Sequence, residues 1–321
     1  GISRSTSTDG GLSITATGGG IAVASAFRFD SRIDFADLGF SRAGYIWVYA
    51  EQKNAGFSTL SEDITDDQTL YGAEGEISLS DRLMLKGYIE TFNTDAGERK
   101  DSAEVNLIVD VNPDWQLGLG VEFLDQAVPG NPGRTGSRTD GALRLTYRGF
   151  NDVEVFAFGQ ATLARSGGLS ANNRLGAGFD AQISEKVSAS GSYSDGDLGP
   201  AGAFRLTYNP TADESYYVGY DLEATDVTGE STSTAENGTV VAGARTRMSE
   251  TVTAFAESKV DLPAARQAST NALGVNYTPS ARWSYGATYE TGTVRDEVSG
   301  DFNRDAISAG VGYANEDFSS A

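Results

Sequence analysis

The side chains of this chain that could take part in chemistry are carboxylates, guanidiniums, ammonium groups and hydroxyls, because the sequence contains no histidine and no cysteine. That removes Ser-His and Cys-His nucleophile pairs, imidazole and thiolate metal ligands, and any disulfide framework. An enzyme built from what remains would need a carboxylate pair or a Ser-Lys pair, and the sequence alone brings no such pair together. The expectation is a protein that is not an enzyme, with no cofactor and no metal. Three acidic groups invite a test as oxygen-only Ca²⁺ sites: Asp63, Asp66 and Asp67; Asp195 and Asp197; Asp301, Asn303 and Asp305. None has the EF-hand loop spacing that ends in a bidentate glutamate, so solvated loop acids are the simpler account.

The other charges follow a regular beat. Arg82, Lys86, Arg144, Arg205, Arg245 and Arg247 fall on the face opposite the apolar residues, and facing them are Glu74, Glu76, Glu90, Glu104, Asp110, Glu122, Asp180, Asp221, Glu223, Glu257 and Glu290. On a surface that meets water these residues would line a pore, with basic and acidic ladders creating a transverse field. Acid is in excess, which implies a mild preference for cations. The competing account is that the charges pair across strands and fill or solvate an interior that conducts nothing. Small residues on the same beat (Gly118, Gly120, Gly176, Gly178, Gly274, Gly286, Gly310 and Gly312) either ease coiling of a sheet or permit close approach of a plug.

The elements that must carry these charges are strands, because the beat has period two. Leu83, Leu85 and Ile89 fall on one face, and Arg82, Lys86 and Glu90 on the other. Trp115, Leu117, Leu119, Val121 and Phe123 alternate with Gln116, Gly118, Gly120 and Glu122; Trp283, Tyr285, Ala287 and Tyr289 alternate with Ser284, Gly286, Thr288 and Glu290. About sixteen such strands fit between residues 42 and 314, with weaker candidates around 12–17 and 21–29. Short turns at 80–82, 112–114, 148–152, 184–186, 209–214, 249–250 and 278–281 alternate with longer polar segments at 94–101, 126–139, 165–172, 195–201, 226–237, 262–269 and 295–303. Loops sorted by length onto two ends describe an up-and-down barrel. Aromatic residues gather at the short turns: Tyr147, Tyr208, Tyr277 and Tyr313 end strands there, and Trp115, Tyr216 and Trp283 begin them. These seven are the expected girdle at a membrane interface.

Composition agrees. Thirty-nine glycines, fourteen tyrosines and two methionines are unlike a helical protein, and a negative mean hydropathy suits strands with only one apolar face. A net charge of −21 argues against nucleic acid as a partner. No run of apolar residues is long enough for a transmembrane helix, and no signal-peptide pattern follows Gly1. The expected fold class is all-β, an antiparallel up-and-down transmembrane β-barrel of about sixteen or more strands in 42–321. Residues 1–41 read as a linker, a plug or first irregular strands. At the far end, Phe318-Ser-Ser-Ala321 reads as the opening of a further strand, so the expectation is a barrel continuing past the C-terminus.

The alternation over 42–321 resembles bacterial outer-membrane β-barrel proteins. More narrowly, Leu145-Thr-Tyr-Arg148, Val155-Phe-Ala-Phe-Gly159, Ser194-Asp-Gly-Asp-Leu-Gly199, Thr239-Val-Val-Ala-Gly-Ala-Arg245 and Gly300-Asp-Phe-Asn-Arg304 are similar to the barrel region of very large multidomain outer-membrane proteins of alphaproteobacteria. That resemblance implies a barrel belonging to a longer polypeptide and brings no catalytic motif. The expected place is the outer membrane of a Gram-negative bacterium. The expected function is a water-filled pore or passage; the alternative is an anchor or structural barrel for a larger surface-exposed polypeptide or envelope assembly. Expected partners are the lipid bilayer, lipopolysaccharide, and other parts of a longer polypeptide or envelope proteins.

Overall fold

The structure is a computed structural model; it describes residues 2–7, 22–57, 64, 66–222, 238–262, 266–296 and 301–313. Among the described residues the regular structure is strands, with one 3₁₀ turn, Pro132–Arg134. In chain order they are β1 (Ile2–Ser7), β2 (Ala22–Asp34), β3 (Gly44–Lys53), β4 (Gln68–Ser80), β5 (Leu83–Thr94), β6 (Arg99–Asp110), β7 (Trp115–Ala127), β8 (Gly136–Phe150) and β9 (Val153–Gly167). There follow β10 (Arg174–Ser184), β11 (Val187–Gly196), β12 (Ala201–Thr211), β13 (Glu214–Leu222), β14 (Thr239–Arg247), β15 (Val252–Asp261), β16 (Arg266–Tyr277), β17 (Trp283–Asp296) and β18 (Phe302–Tyr313). Sixteen of these, β3 to β18, occupy the stretch in which the sequence shows about sixteen period-two segments.

Two compact units divide the chain. One holds β1–β9 with the start of β10 and the end of β11; the other holds β12–β18 with the rest of those two strands. Within each, consecutive strands pair antiparallel, as hairpins require. In the first unit β2 pairs with β3 from Ala26↔Lys53 to Asp34↔Tyr45, and each later strand to β9 pairs with the one before it. The segment before residue 42 thus contributes two paired strands, β1 and β2. The candidate at 12–17 and the strand opening at 318–321 lie outside the described residues.

Burial is the reverse of a water-soluble protein. Among the described residues few apolar side chains are buried, Phe57, Ile64, Leu124 and Leu169 being the larger ones, whereas Leu175 is 74% exposed, Ile183 64%, Leu163 65% and Ile307 83%. Side chains on one face of every strand follow the pairing: Val105, Val121 and Gly141 share a row, and so do Leu107, Leu119 and Leu143. A continuous sheet face of exposed Leu, Val, Ile and Phe is far larger than water tolerates, and is stabilised when lipid covers it.

The connections at the short end match the sequence reading. Ser80 and Leu83 flank the β4–β5 turn and Asp110 and Trp115 the β6–β7 turn. At the other end the strands run further than alternation shows. β6 begins at Arg99 and β7 ends at Ala127, inside segments that read as loops; Lys100↔Gln126 and Asp101↔Asp125 pair there. The cause is that both faces become polar beyond the apolar band, so the backbone ladder continues without an alternating pattern to mark it.

Candidate pore-lining face

The second face of each strand carries the charges. In the first unit one register row reads Glu74, Tyr88, Glu104, Glu122, Asp140, each directly opposite the next on β4 to β8. Like charges opposite one another are costly unless water or cations screen them, so this row is the strongest electrostatic feature of the face. Asn106 Nδ2 donates to Glu104. One turn-ward row away, Lys86 on β5 meets Glu76 on β4 with Nζ–Oε2 at 2.7 Å. At the middle of β2, Arg28 pairs with Glu51 of β3 at 3.3 Å.

Aromatic rings lie among these charges, which the sequence reading did not anticipate. Tyr49, Gly72 and Glu90 stand in one row across β3, β4 and β5. The tyrosine ring lies over the glycine, where a Cβ would come within 2.7 Å of the ring and its oxygen, and the hydroxyl donates to Glu90 at 2.7 Å. Tyr45 donates to Glu74 at 3.2 Å. Arg144 lies 3.6 Å from the centroid of the Phe156 ring, a contact that holds a guanidinium flat against the wall.

A packed region interrupts the charged face on β7–β9. Arg138 Nε meets Asp140 Oδ2 at 2.7 Å, and the two side chains are only 8% and 3% exposed. The β9–β10 connection folds against this pair. Arg138 Nη1 donates to the Ser170 carbonyl at 3.3 Å, Thr162 Oγ1 donates to Asp140 at 2.7 Å, and the Asn172 amide donates to Thr162 Oγ1 at 2.8 Å. Leu169 is buried in the fold of the same connection. The Gly168 amide donates to the Thr135 carbonyl at 2.7 Å, and a Cβ on Gly168 would strike the Pro132 carbonyl. Two neighbouring connections are therefore pressed together, and the glycine is what lets them touch.

The second unit repeats the tyrosine arrangement. Tyr217, Gly243 and Glu257 form a row across β13, β14 and β15. The Tyr217 ring covers Gly243, its hydroxyl donates to Glu257, and Arg205 lies 5.3 Å from the ring centroid. Arg245 is opposite Phe255, whose ring covers Gly274 on β16. Asp221 is opposite Thr239, which donates to Asp261 at 2.8 Å. Glu290 faces Ala272.

The expected pore-lining residues accordingly fall into groups. Lys86, Glu90, Glu104, Glu122 and Arg144 share the charged face of the first unit; Arg205, Asp221, Arg245, Glu257 and Glu290 share that of the second. Asp180 is an exposed residue of β10. Arg82 sits in the β4–β5 turn, not on a strand. Arg247 ends β14 beside a shallow hollow of about 790 Å³ formed with Asp213, Met248, Glu250, Thr278 and Pro279. Glu223 lies outside the described residues.

Of the acidic groups, Asp197 accepts both the backbone and side-chain amides of Asn173, and Asp305 accepts the Tyr289 hydroxyl. Asp301 is 3.9 Å from Arg295. Asp63 lies outside the described residues. Among the described residues no three acidic side chains are arranged to hold a metal ion.

The aromatic residues at the short turns meet as pairs. Trp115 and Tyr147 are opposite one another with ring centroids 4.7 Å apart, and Phe150 completes an edge contact at 4.9 Å. Tyr208 and Tyr216 stack at 6.4 Å, and Tyr277 and Trp283 each stack on Tyr285 at 6.1 Å. Tyr313 pairs with Trp283 through the backbone. Phe150 and Tyr285 were absent from the expected girdle; their signal in the sequence is proximity to a turn that already carries aromatics.

No family model matches the chain, and no curated protein matches it. Solved structures do. A structure named as the copper transporter OprC is similar over 92% of this chain, with a TM-score of 0.52 and 9% identity; the chain spans 64% of that protein's length. A triple mutant of Rhodopseudomonas blastica porin matches over 89% of this chain and 99% of its own, with a TM-score of 0.46 and 9% identity. At that identity the likeness to OprC shows the fold alone, and the fold is that of an antiparallel, up-and-down outer-membrane β-barrel.

Proposed function

We propose that the chain forms a water-filled passage in the outer membrane of a Gram-negative bacterium, with a mild preference for cations. The observation that carries this reading is the two-faced strand: exposed Leu, Val and Ile on one side, and the row Glu74, Glu104 and Glu122 on the other. An apolar face covered by bilayer and lipopolysaccharide leaves the acidic face toward water, and carboxylates without equal numbers of bases raise the local cation concentration. The chemistry asked of the residues is electrostatic, and no catalytic step is assigned to them. Copper transport is not carried over from the named neighbour: the usual copper ligands are thiolate, thioether and imidazole, and this chain has two methionines and no cysteine or histidine.

A second reading is favoured by the packed region on β7–β9. Arg138, Asp140 and Leu169 are buried against an infolded connection, which suits a barrel that anchors a larger surface-exposed polypeptide or envelope assembly. Planar-bilayer recording separates the two. A passage gives stepwise conductance whose reversal potential in a KCl gradient favours K⁺, and Glu104→Gln with Glu122→Gln reduces that preference. Folded protein that inserts and stays silent leaves the anchor reading standing.

A further inference from the structure

One connection at the short-turn end differs from its neighbours. In the first unit β4–β5, β6–β7 and β8–β9 are joined there by 81–82, 111–114 and 151–152, with polar tips Asp81-Arg82, Asn112-Pro113-Asp114 and Asn151-Asp152. The β2–β3 connection lies at the same end, since Gly44 is opposite Ile77 and the Ser78 amide donates to the Ala43 carbonyl. It runs from 35 to 43 and reads Phe-Ala-Asp-Leu-Gly-Phe-Ser-Arg-Ala. A hairpin reverses in far fewer residues. The added length and its apolar side chains therefore need a cause beyond chain reversal.

The connection is one helical turn with a fixed end. The Leu38 amide donates to the Phe35 carbonyl at 3.2 Å, that of Gly39 to Ala36 at 3.0 Å and that of Phe40 to Phe35 at 3.0 Å. Gly39 has φ at 78°. The last two bonds are thus the paired closure of a Schellman motif, with glycine at its left-handed position. The apolar contact that accompanies the motif is present, as the Phe35 and Phe40 rings meet edge-on at 5.7 Å. Arg42 ties the turn to its neighbour by donating to the Ser78 and Leu79 carbonyls.

Parity sets the side on which the turn lies. Phe27, Phe29 and Ile33 are exposed on one face of β2, and Ile33 is opposite Ile46, on the β3 face that also carries exposed Val48. Phe35 stands two residues beyond Ile33, and its amide still donates to the Gly44 carbonyl at 2.8 Å. The ring lies over Gly44, where a Cβ would come within 2.7 Å of it. Phe35 therefore prolongs the lipid-facing side. Leu38, three residues further along a helical turn, shares its face, and Phe40 touches its ring. Leu38 and Phe40 are both exposed. The other side of the hairpin end is polar, with Arg32 paired to Asp34 at 3.2 Å.

An apolar tip that continues a lipid-facing wall, with polar groups on its far side, suits an element lying in the plane of the membrane interface. We propose that the turn 35–40 is an interfacial anchor, seating Leu38 and Phe40 in the phospholipid leaflet at the short-turn end. The proposal rests on the membrane reading above and adds to the wall a second, off-strand contact with lipid.

The test uses the absence of cysteine. Leu38→Cys at the tip, Asp81→Cys in the β4–β5 turn and Ile89→Cys on the lipid-facing side of β5 each receive a bimane label. Each protein is reconstituted in dioleoyl phosphatidylcholine and checked for heat-modifiable migration. Quenching is measured with phosphatidylcholine bearing a nitroxide on its acyl chain, and separately with iodide on both sides of the vesicle. The variant at 81 carries the same label at the same end, so the label's own affinity for lipid cancels. The expected result is nitroxide quenching at 38 at least about threefold that at 81, with iodide quenching lower at 38 than at 81. If 38 behaves like 81 while 89 is quenched by nitroxide, the tip stands in water and the anchor is overturned. If 38 is shielded from both quenchers, protein and not lipid covers it, which overturns the anchor equally. If 89 is itself open to iodide and untouched by nitroxide, the membrane reading fails. Should Leu38→Cys not fold, Phe40→Cys reports on the same tip with the same outcomes.

Discussion

Arg138 and Asp140 are the pair on which the inner wall of β7–β9 depends most. Each is buried; Arg138 holds Ser170 of the connection that folds against the wall, and Asp140 holds Thr162 of β9, to which that connection is also bonded. Removing one partner leaves the other buried and uncompensated, which costs about 3 kcal/mol or more. Arg138→Met is therefore expected to lower the guanidinium midpoint of detergent-solubilised protein, and to release the β9–β10 connection to protease. Arg138→Lys keeps the charge but loses the planar donor set that spans Asp140 and the Ser170 carbonyl, so it falls between. An Arg138→Met protein as resistant as wild type at both readouts would mean that the buried pair does not hold this connection. The tyrosine rows make a smaller claim. At Gly243 the three atoms nearest an added Cβ all belong to the Tyr217 ring and its hydroxyl, so Gly243→Ala displaces the ring and breaks its bond to Glu257. About 1 kcal/mol of stability is expected to go with that bond, read by the same denaturation. Gly72→Ala should cost more, because the Ile89 carbonyl as well as the Tyr49 ring stands in the way, the carbonyl at 2.8 Å.

At the scale of the element, the strands were legible because one face had to be apolar over the membrane band and the other did not. Trp115 to Phe123 and Trp283 to Tyr289 declare their faces residue by residue. Two things stayed hidden for physical reasons. Past the band both faces are polar, so the ladder from Asp101↔Asp125 to Arg99↔Ala127 looks like loop although it is paired sheet. The polar face also has no simple alphabet, since it meets water, charges and rings by turns. Tyr49, Tyr88 and Tyr217 are on it, and only cross-strand register shows that a glycine lies beside Tyr49 and Tyr217 to receive the ring. Lys86, Glu90, Glu104, Glu122, Arg205 and Glu257 were readable as members of that face by parity alone. Alternation assigns Arg82 to the same face, but it sits in a turn, where parity has no meaning, and the contact of Arg138 with Asp140 depends on a connection whose fold no periodicity encodes.

For the molecule as a whole, the exposure of Leu163, Leu175 and Ile183 predicts behaviour in solvent. Without detergent the chain should aggregate, since such a face in water drives association. In dodecyl maltoside it should migrate faster on an unheated gel than after boiling, because a paired sheet of this kind keeps its backbone hydrogen bonds until heated. A monodisperse, detergent-free monomer would remove the membrane assignment, and the pore and anchor readings with it.

The rings seated over glycines bear on how such a sheet finds its pairing. A strand that slips by one residue turns its apolar face to the wrong side and is rejected by that alone. A slip of two keeps both faces correct, so hydrophobicity cannot detect it. Tyr217 can detect it, since two residues either way from Gly243 stand Val241 and Arg245, and neither leaves space for a ring. The same holds for Tyr49 at Gly72, flanked on its face by Leu70 and Glu74. Each ring and its gap act as a key for one alignment. In a chain of many similar hairpins, that makes these contacts proofreading marks as much as bonds.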